Sequence, residues 1–212
     1  SICRLTQPDP DGRWHAILML LSVNWLEPVS DDDLFELYIL VLVIDVLAND
    51  LGLGSVQEFG LVAAGRRHVA KFDSPKGDVS VFFDLSMRVI LGSRGRYSKV
   101  VSDYDGVSGS ERRPDIVVMR KSPGEHPRPL VTLVEVKRSE SETYISDSVY
   151  KAFGYLHDYQ SIWQDMSFLP RIVLAVPGPV SIKAGRPYLE VGVVSGDDRE
   201  SLSRMLAASL DL

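Results

Sequence analysis

Two carboxylates and a lysine stand at the ends of two apolar runs between Arg112 and Arg138. Pro114 and Asp115 open the run Ile116 to Met119, while Glu135, Val136 and Lys137 end the run that begins at Leu130. Both runs are rich in Val and Ile, and the stretch from Ser122 to Pro129 is rich in Pro, so the pair reads as a β-hairpin. Folded about Gly124 and Glu125, the hairpin sets Asp115 opposite Glu135 and Val136. Strand side chains alternate, so Glu135 and Lys137 share a face and Val136 points away. Acids placed this way repel each other unless a cation neutralises them. A hard divalent ion such as Mg²⁺, with Mn²⁺ as substitute, does so through one or two carboxylates and keeps water and substrate phosphate as its other ligands. A lysine beside it can orient or help deprotonate an attacking water and offset charge on a phosphate. The chemistry these residue types describe is metal-assisted hydrolysis of a phosphodiester. The plainer alternative is that Asp115 ends a turn and that Glu135 and Lys137 form a surface ion pair of little energetic value. Leu130, Val131, Leu133, Val134 and Val136 make both faces of the strand apolar, which predicts a buried central strand and argues against a surface pair.

The elements that must hold these residues are legible along the chain. Ser30 followed by Asp31, Asp32 and Asp33 marks a helix start, with acids in the electropositive first turn. The pattern predicts a helix from Leu34 to about Asn49, ended by Leu51 to Gly54. It is apolar nearly all round, and Glu36 and Asp45 interrupt it short of the roughly 20 residues a bilayer needs. Strands are expected at Arg67 to Phe72, Asp78 to Leu85 and Arg88 to Leu91, ahead of the hairpin. A helix over Tyr144 to Met166 follows, with Val149, Phe153, Leu156 and Ile162 as its core stripe. Strands at Arg171 to Val176 and Tyr188 to Val194 and a helix from Asp198 to Leu210 complete the order. The result is an α/β domain with a mixed sheet flanked by helices.

The pair Pro114 and Asp115 followed by Glu135, Val136 and Lys137 resembles the signature of the PD-(D/E)XK nuclease superfamily. That resemblance implies a restriction-endonuclease-like core in αβββαβ order. It makes Asp115 and Glu135 metal ligands, the Val136 carbonyl a further ligand, and Lys137 the catalytic lysine. Lys151 and Tyr155, four residues apart, are similar to the Gln-x-x-x-Tyr element of RecB-type and lambda-type exonucleases, with Lys151 standing where Gln is found. A cation there could hold a phosphate. The alternative leaves Lys151 solvated or paired with Asp147 and Tyr155 at the core edge. Many members of the superfamily also carry an acid on the helix before the sheet that reaches the metal site. Glu36 is the matching position, on one face with Leu40, Val43 and Leu47, and Asp45 lies on the opposite face. Against this, Glu36 could reach solvent or a nearby Arg. The segment Leu34 to Tyr38, the run Arg113 to Val117 and the Gly/Ser loop before it look similar to nuclease subunits of McrBC-type restriction systems, which implies prokaryotic defence and a cytoplasmic setting.

Composition fits one domain: 212 residues, 45% hydrophobic and 25% charged. The single cysteine, Cys3, excludes an internal disulfide framework, and His15, His68, His126 and His157 lack zinc-ligand spacing. The net charge of −6 conceals an asymmetry, because residues 61–121 hold 12 Lys and Arg against 7 Asp and Glu. Arg94, Arg96, Lys99, Arg112 and Arg113 lie in or beside Gly92 to Arg113, which reads as a Gly/Ser-rich loop able to ride over a nucleic-acid backbone, with Tyr97 or Tyr104 to stack on a base. An ordinary solvated loop is the alternative. Residues 1–29, with apolar Trp14 to Val23, read as an extension or linker ahead of a 30–212 domain. The chain opens on Ser1, so an upstream DNA-sensing or motor domain is expected, and paired strand cuts would call for a homodimer. Two function classes follow: a Mg²⁺-dependent DNA nuclease, or a nuclease-like module that binds nucleic acid or protein without cutting.

Overall fold

Ser30 starts the first helix through a reciprocal cap. Its hydroxyl accepts from the Asp33 N–H at 3.2 Å and the Asp33 carboxylate accepts from the Ser30 N–H at 2.9 Å, which satisfies two donors a helix start leaves unpaired. Helix α1 runs Asp31–Asp45 and widens into a π turn over Val46–Asp50. Gly52 and Gly54, at φ of +68° and +78°, let the chain close that end: the Leu53 and Gly54 N–H groups donate to the Leu47 and Ala48 carbonyls. The computed structural model describes residues 30–59, 68–92, 94–107, 109, 111–121, 123, 128–164 and 166–212. Cys3, His15, Arg67, Gly124, Glu125, His126 and the Trp14 to Val23 run lie outside them.

The expected mixed sheet with flanking helices is present. Strands β1 (Glu58–Phe59), β2 (Ala70–Phe72), β3 (Asp78–Phe83), β4 (Ile116–Lys121), β5 (Leu130–Val136), β6 (Ile172–Val176) and β7 (Val191–Ser195) form one sheet in sequence order, the first a two-residue edge. The pairs from β1 to β5 are antiparallel, and β5, β6 and β7 run parallel. Helix α4 (Glu142–Asp158) makes the crossover between β5 and β6 that a parallel pair requires. Helix α5 (Arg199–Leu210) closes the chain.

Each face of the sheet has its own core. On one, α1 and α5 cover Phe72, Val79, Val118, Val134 and Val173, and β5 is joined to α5 by the buried Thr132 hydroxyl donating to Ser209 at 2.7 Å. On the other, α4 and the short helix α2 (Met87–Leu91) cover Phe82, Val117, Leu133 and Ile172. Trp163, past the end of α4, donates its indole N–H to the Val131 carbonyl at 2.8 Å, so its one polar atom is satisfied inside that core.

Four expectations need correction. Arg88 to Leu91 is not a strand but most of α2, because Gly92 at φ +72° caps a single turn there. The segment from Gly92 to Arg113 is not loop throughout, since Arg96–Ser102 forms helix α3. Helix α4 stops at Asp158, with a 3₁₀ turn at Gln160–Ile162, rather than reaching Met166. Its core stripe is rotated in part: Leu156 and Ile162 pack against the core as expected, but Ser148, Ala152 and Tyr155 are the buried helix residues and Phe153 is 50% exposed. Small residues let the helix sit close to the sheet, and a pattern weighted by side-chain size overlooks Ser148 and Ala152 in favour of Phe153. No described helix is long and apolar enough to cross a membrane.

Candidate functional site

The β4–β5 register brings the acids together. Ile116 pairs with Val134, so the next step of the antiparallel ladder sets Asp115 across from Glu135. Both project to the α4 face, where the apolar core stops at the strand ends. Asp115 is held from several sides. Its backbone carbonyl accepts from the Asp84 N–H at 2.9 Å, and its Oδ2 accepts from the Val136 N–H at 2.7 Å. The carbonyls of Arg113 and Arg112 just before it accept from the Tyr155 and Tyr159 hydroxyls at 3.1 and 3.2 Å. Lys137 extends the parallel ladder through its N–H to the Ala175 carbonyl.

Lys137 Nζ lies 2.7 Å from Glu135 Oε1 and 3.4 Å from Asp115 Oδ2, and donates to the Val136 carbonyl at 2.8 Å. The side chains of Asp115, Glu135 and Lys137 are only 17, 13 and 22% exposed, so this is no surface pair. Burial pushes the Asp115 carboxyl above the ordinary range, against the pull of Lys137 and of the Val136 N–H. Burial and then the Asp115 charge push Glu135 up likewise. Burial alone would depress Lys137, but Glu135 and Asp115 outweigh it and hold the ammonium above its usual range. Glu135 Oε2 is buried without a hydrogen-bond partner.

Glu36 stands close enough to feel this site. Burial, and after it the Asp115 charge, raise its carboxyl to about 7. Arg138, the residue after Lys137, pairs with Asp31 and Asp32 at 2.7 and 3.5 Å and ties the start of α1 to the end of β5. Among the described residues, however, no three His, Cys, Asp or Glu side chains converge to hold an ion. Glu36 is linked to the pair by the charges of Asp115 and Glu135, both of which raise its carboxyl.

The other expected residues divide. Tyr155 is brought to the site: it is buried, and burial followed by the charges of Glu135 and Asp115 pushes its phenol far up. Lys151 is exposed and turns away to lie over the Tyr144 ring at 5.8 Å, so it neither joins Tyr155 nor pairs with Asp147. Arg113 pairs with Asp84 at 3.4 Å and Arg96 donates to Gln160 at 3.1 Å. Arg94 and Lys99 are exposed. Arg112 is half-buried against Tyr97 and Tyr155. Sequence reasoning missed Tyr159, although it lies one turn beyond Tyr155 on the same helical face; burial and the nearby Glu111 and Asp158 charges raise its phenol to about 12.

The donor set suits a hard cation in part. Two carboxylates, one with an unbonded buried oxygen, and the Val136 carbonyl make the kind of incomplete oxygen shell that Mg²⁺ completes with water and phosphate. No protein-family model, no curated protein and no solved structure matches the chain.

Proposed function

We propose that this chain is a metal-dependent nuclease that hydrolyses phosphodiester bonds of nucleic acid, most simply DNA, on a restriction-endonuclease-like core. The observation that carries the reading is the buried Asp115, Glu135 and Lys137 group at the ends of two adjacent strands. Burying two carboxylates and one ammonium is costly for folding alone, because desolvation of charge is repaid only in part by their attraction. The order α1, β3, β4, β5, α4, β6 contains the αβββαβ succession of that core. Asp115, Glu135 and the Val136 carbonyl would hold the cation, which when bound supplies Lewis acidity toward a phosphate oxygen. Lys137 would leave the Val136 carbonyl, orient the attacking water and offset charge gathering on the phosphate. Glu36, with its carboxyl near neutrality, adds a group able to move a proton at the edge of the site.

A second reading has one observation in its favour. Lys137 Nζ occupies the Val136 carbonyl at 2.8 Å while pairing with both acids, as expected of a module that binds without cutting. Incubation of plasmid and linear DNA with Mg²⁺ or Mn²⁺, against an EDTA control, separates the two. The nuclease reading expects cleavage that EDTA stops and that Asp115→Ala abolishes. Intact DNA with both metals would leave the binding module.

A further inference from the structure

Arg112 is seated differently from the other site arginines. Arg113 and Arg138 pair with carboxylates, and Arg96 donates to Gln160. The Arg112 guanidinium makes no ion pair or hydrogen bond among the described residues, yet it is held in place. Its carbon lies 5.4 Å from the centre of the Tyr97 ring and 5.8 Å from that of Tyr155, both within cation–π reach. Its backbone carbonyl is pinned by the Tyr159 hydroxyl at 3.2 Å.

The third support is a missing side chain. A Cβ placed on Gly154 would collide with Arg112 Nη1. Gly154 lies inside α4 without a positive φ, so the backbone does not demand glycine, and an interior helical glycine costs about 0.5–1 kcal/mol relative to alanine. The room it leaves is filled by the guanidinium.

From this we infer that Arg112 is a preformed phosphate-binding site, built by Gly154, Tyr97, Tyr155 and Tyr159, whose ligand is a backbone phosphate of nucleic acid next to the one at Asp115 and Glu135. An oriented guanidinium offers a planar fork of N–H donors that matches phosphate oxygens, and holding it in advance lowers the ordering cost of binding. Tyr155 lies against Arg112 and donates its hydroxyl to the Arg113 carbonyl, two residues before Asp115, which sets the two phosphate positions side by side. The inference rests on the reading that the chain acts on nucleic acid.

The test is binding without cleavage: fluorescence anisotropy of a short labelled DNA with the full chain in EDTA. Loss of a charge-assisted contact should weaken binding about ten- to a hundredfold in Arg112→Ala. Arg112→Lys should fall nearly as far, because it keeps the charge and loses the fork and the stacking. Gly154→Ala is the sharper variant. It removes no charge and favours the helix, so its melting temperature should hold or rise while its affinity falls towards that of Arg112→Ala. The double variant should bind no worse than Arg112→Ala alone. Wild-type affinity in Gly154→Ala, or no DNA binding by the wild type, overturns the site. Binding that depends on Arg112 and Gly154 in a chain that cuts nothing with Mg²⁺ or Mn²⁺ removes the nuclease reading and keeps this one. Cleavage with unaffected binding in both variants does the reverse.

Discussion

The two faces of the sheet are built for different ends. Under α1 and α5 the packed side chains are almost all aliphatic, and the buried Thr132 hydroxyl donates to Ser209, which donates to the Leu206 carbonyl. Under α4 the apolar layer of Val117, Leu133 and Ile172 gives way at the strand ends to Asp115, Glu135, Lys137 and two tyrosines. The face under α1 and α5 also buries Arg120, which donates to Asp211 just past α5 while its Nε is left without a partner. The other keeps a carboxylate oxygen without a partner and two carboxyls, Asp115 and Glu135, pushed up above all by burial. Stability that the first face supplies is what allows the second to hold charges that folding alone would disfavour.

That contrast can be broken from either side. The largest effect belongs to Asp115→Ala and Glu135→Ala, which should reduce cleavage to background while the fold survives. Each relieves carboxylate repulsion, so the melting temperature without metal should hold or rise slightly, and only the wild type should gain stability with Mg²⁺ or Mn²⁺. Equal metal-induced shifts in wild type and both variants would remove the site. Lys137→Ala comes next, with a rate loss of about 10²–10⁴-fold, the usual size of a positioned proton-transfer or charge-stabilising group. DNA affinity in Ca²⁺ should change far less, and a wild-type rate would end the catalytic assignment.

Leu40→Ala probes the opposite face. Leu40 is fully buried, and truncation there should cost about 2–5 kcal/mol, read by urea unfolding. Activity per folded molecule well below the melting temperature should be kept. If that activity fell as far as it does in Lys137→Ala, the division between the faces would be false.

The smallest effect is expected from Glu36→Gln. Burial and Asp115 raise the Glu36 carboxyl from 4.5 to about 7 in the folded protein, so the folded state binds the proton more tightly than the unfolded state does. Its contribution to stability is full below about 4.5 and is lost as pH rises through about 7. Melting curves across that interval should fall less steeply in the variant than in the wild type. Parallel curves would place Glu36 in solvent, outside the field of the acid pair.

Much of this arrangement follows from local pattern. Alternation and β-branched content mark β4 and β5, and counting back from the apolar runs sets Asp115 against Glu135, because an antiparallel ladder with one buried strand tolerates no slip. The Ser30 cap and the three acids after it fix where α1 begins. Local pattern fails where the packing partner decides. The buried stripe of α4 runs through Ser148 and Ala152 rather than Phe153, since closeness to the sheet favours small residues and leaves Tyr150 and Phe153 79 and 50% exposed. Arg88 to Leu91 carries strand-like residues, yet a glycine at positive φ ends a helical turn there.

By itself the sequence determined the site's chemical identity and its two supporting strands: the residue types are written in it, and strand pairing follows from a period of two. Tertiary structure alone decided which charges are partnered. Arg113 and Arg112 are neighbours in the chain, but one pairs with Asp84 while the other lies in a slot left by Gly154. Glu36, on a helix that packs against the opposite face, reaches the field of Asp115 because the start of α1 lies at the end of β5, where Arg138 pairs with Asp31 and Asp32. Contacts between elements far apart in the chain set burial, and burial sets which charges are costly and which donors stay free.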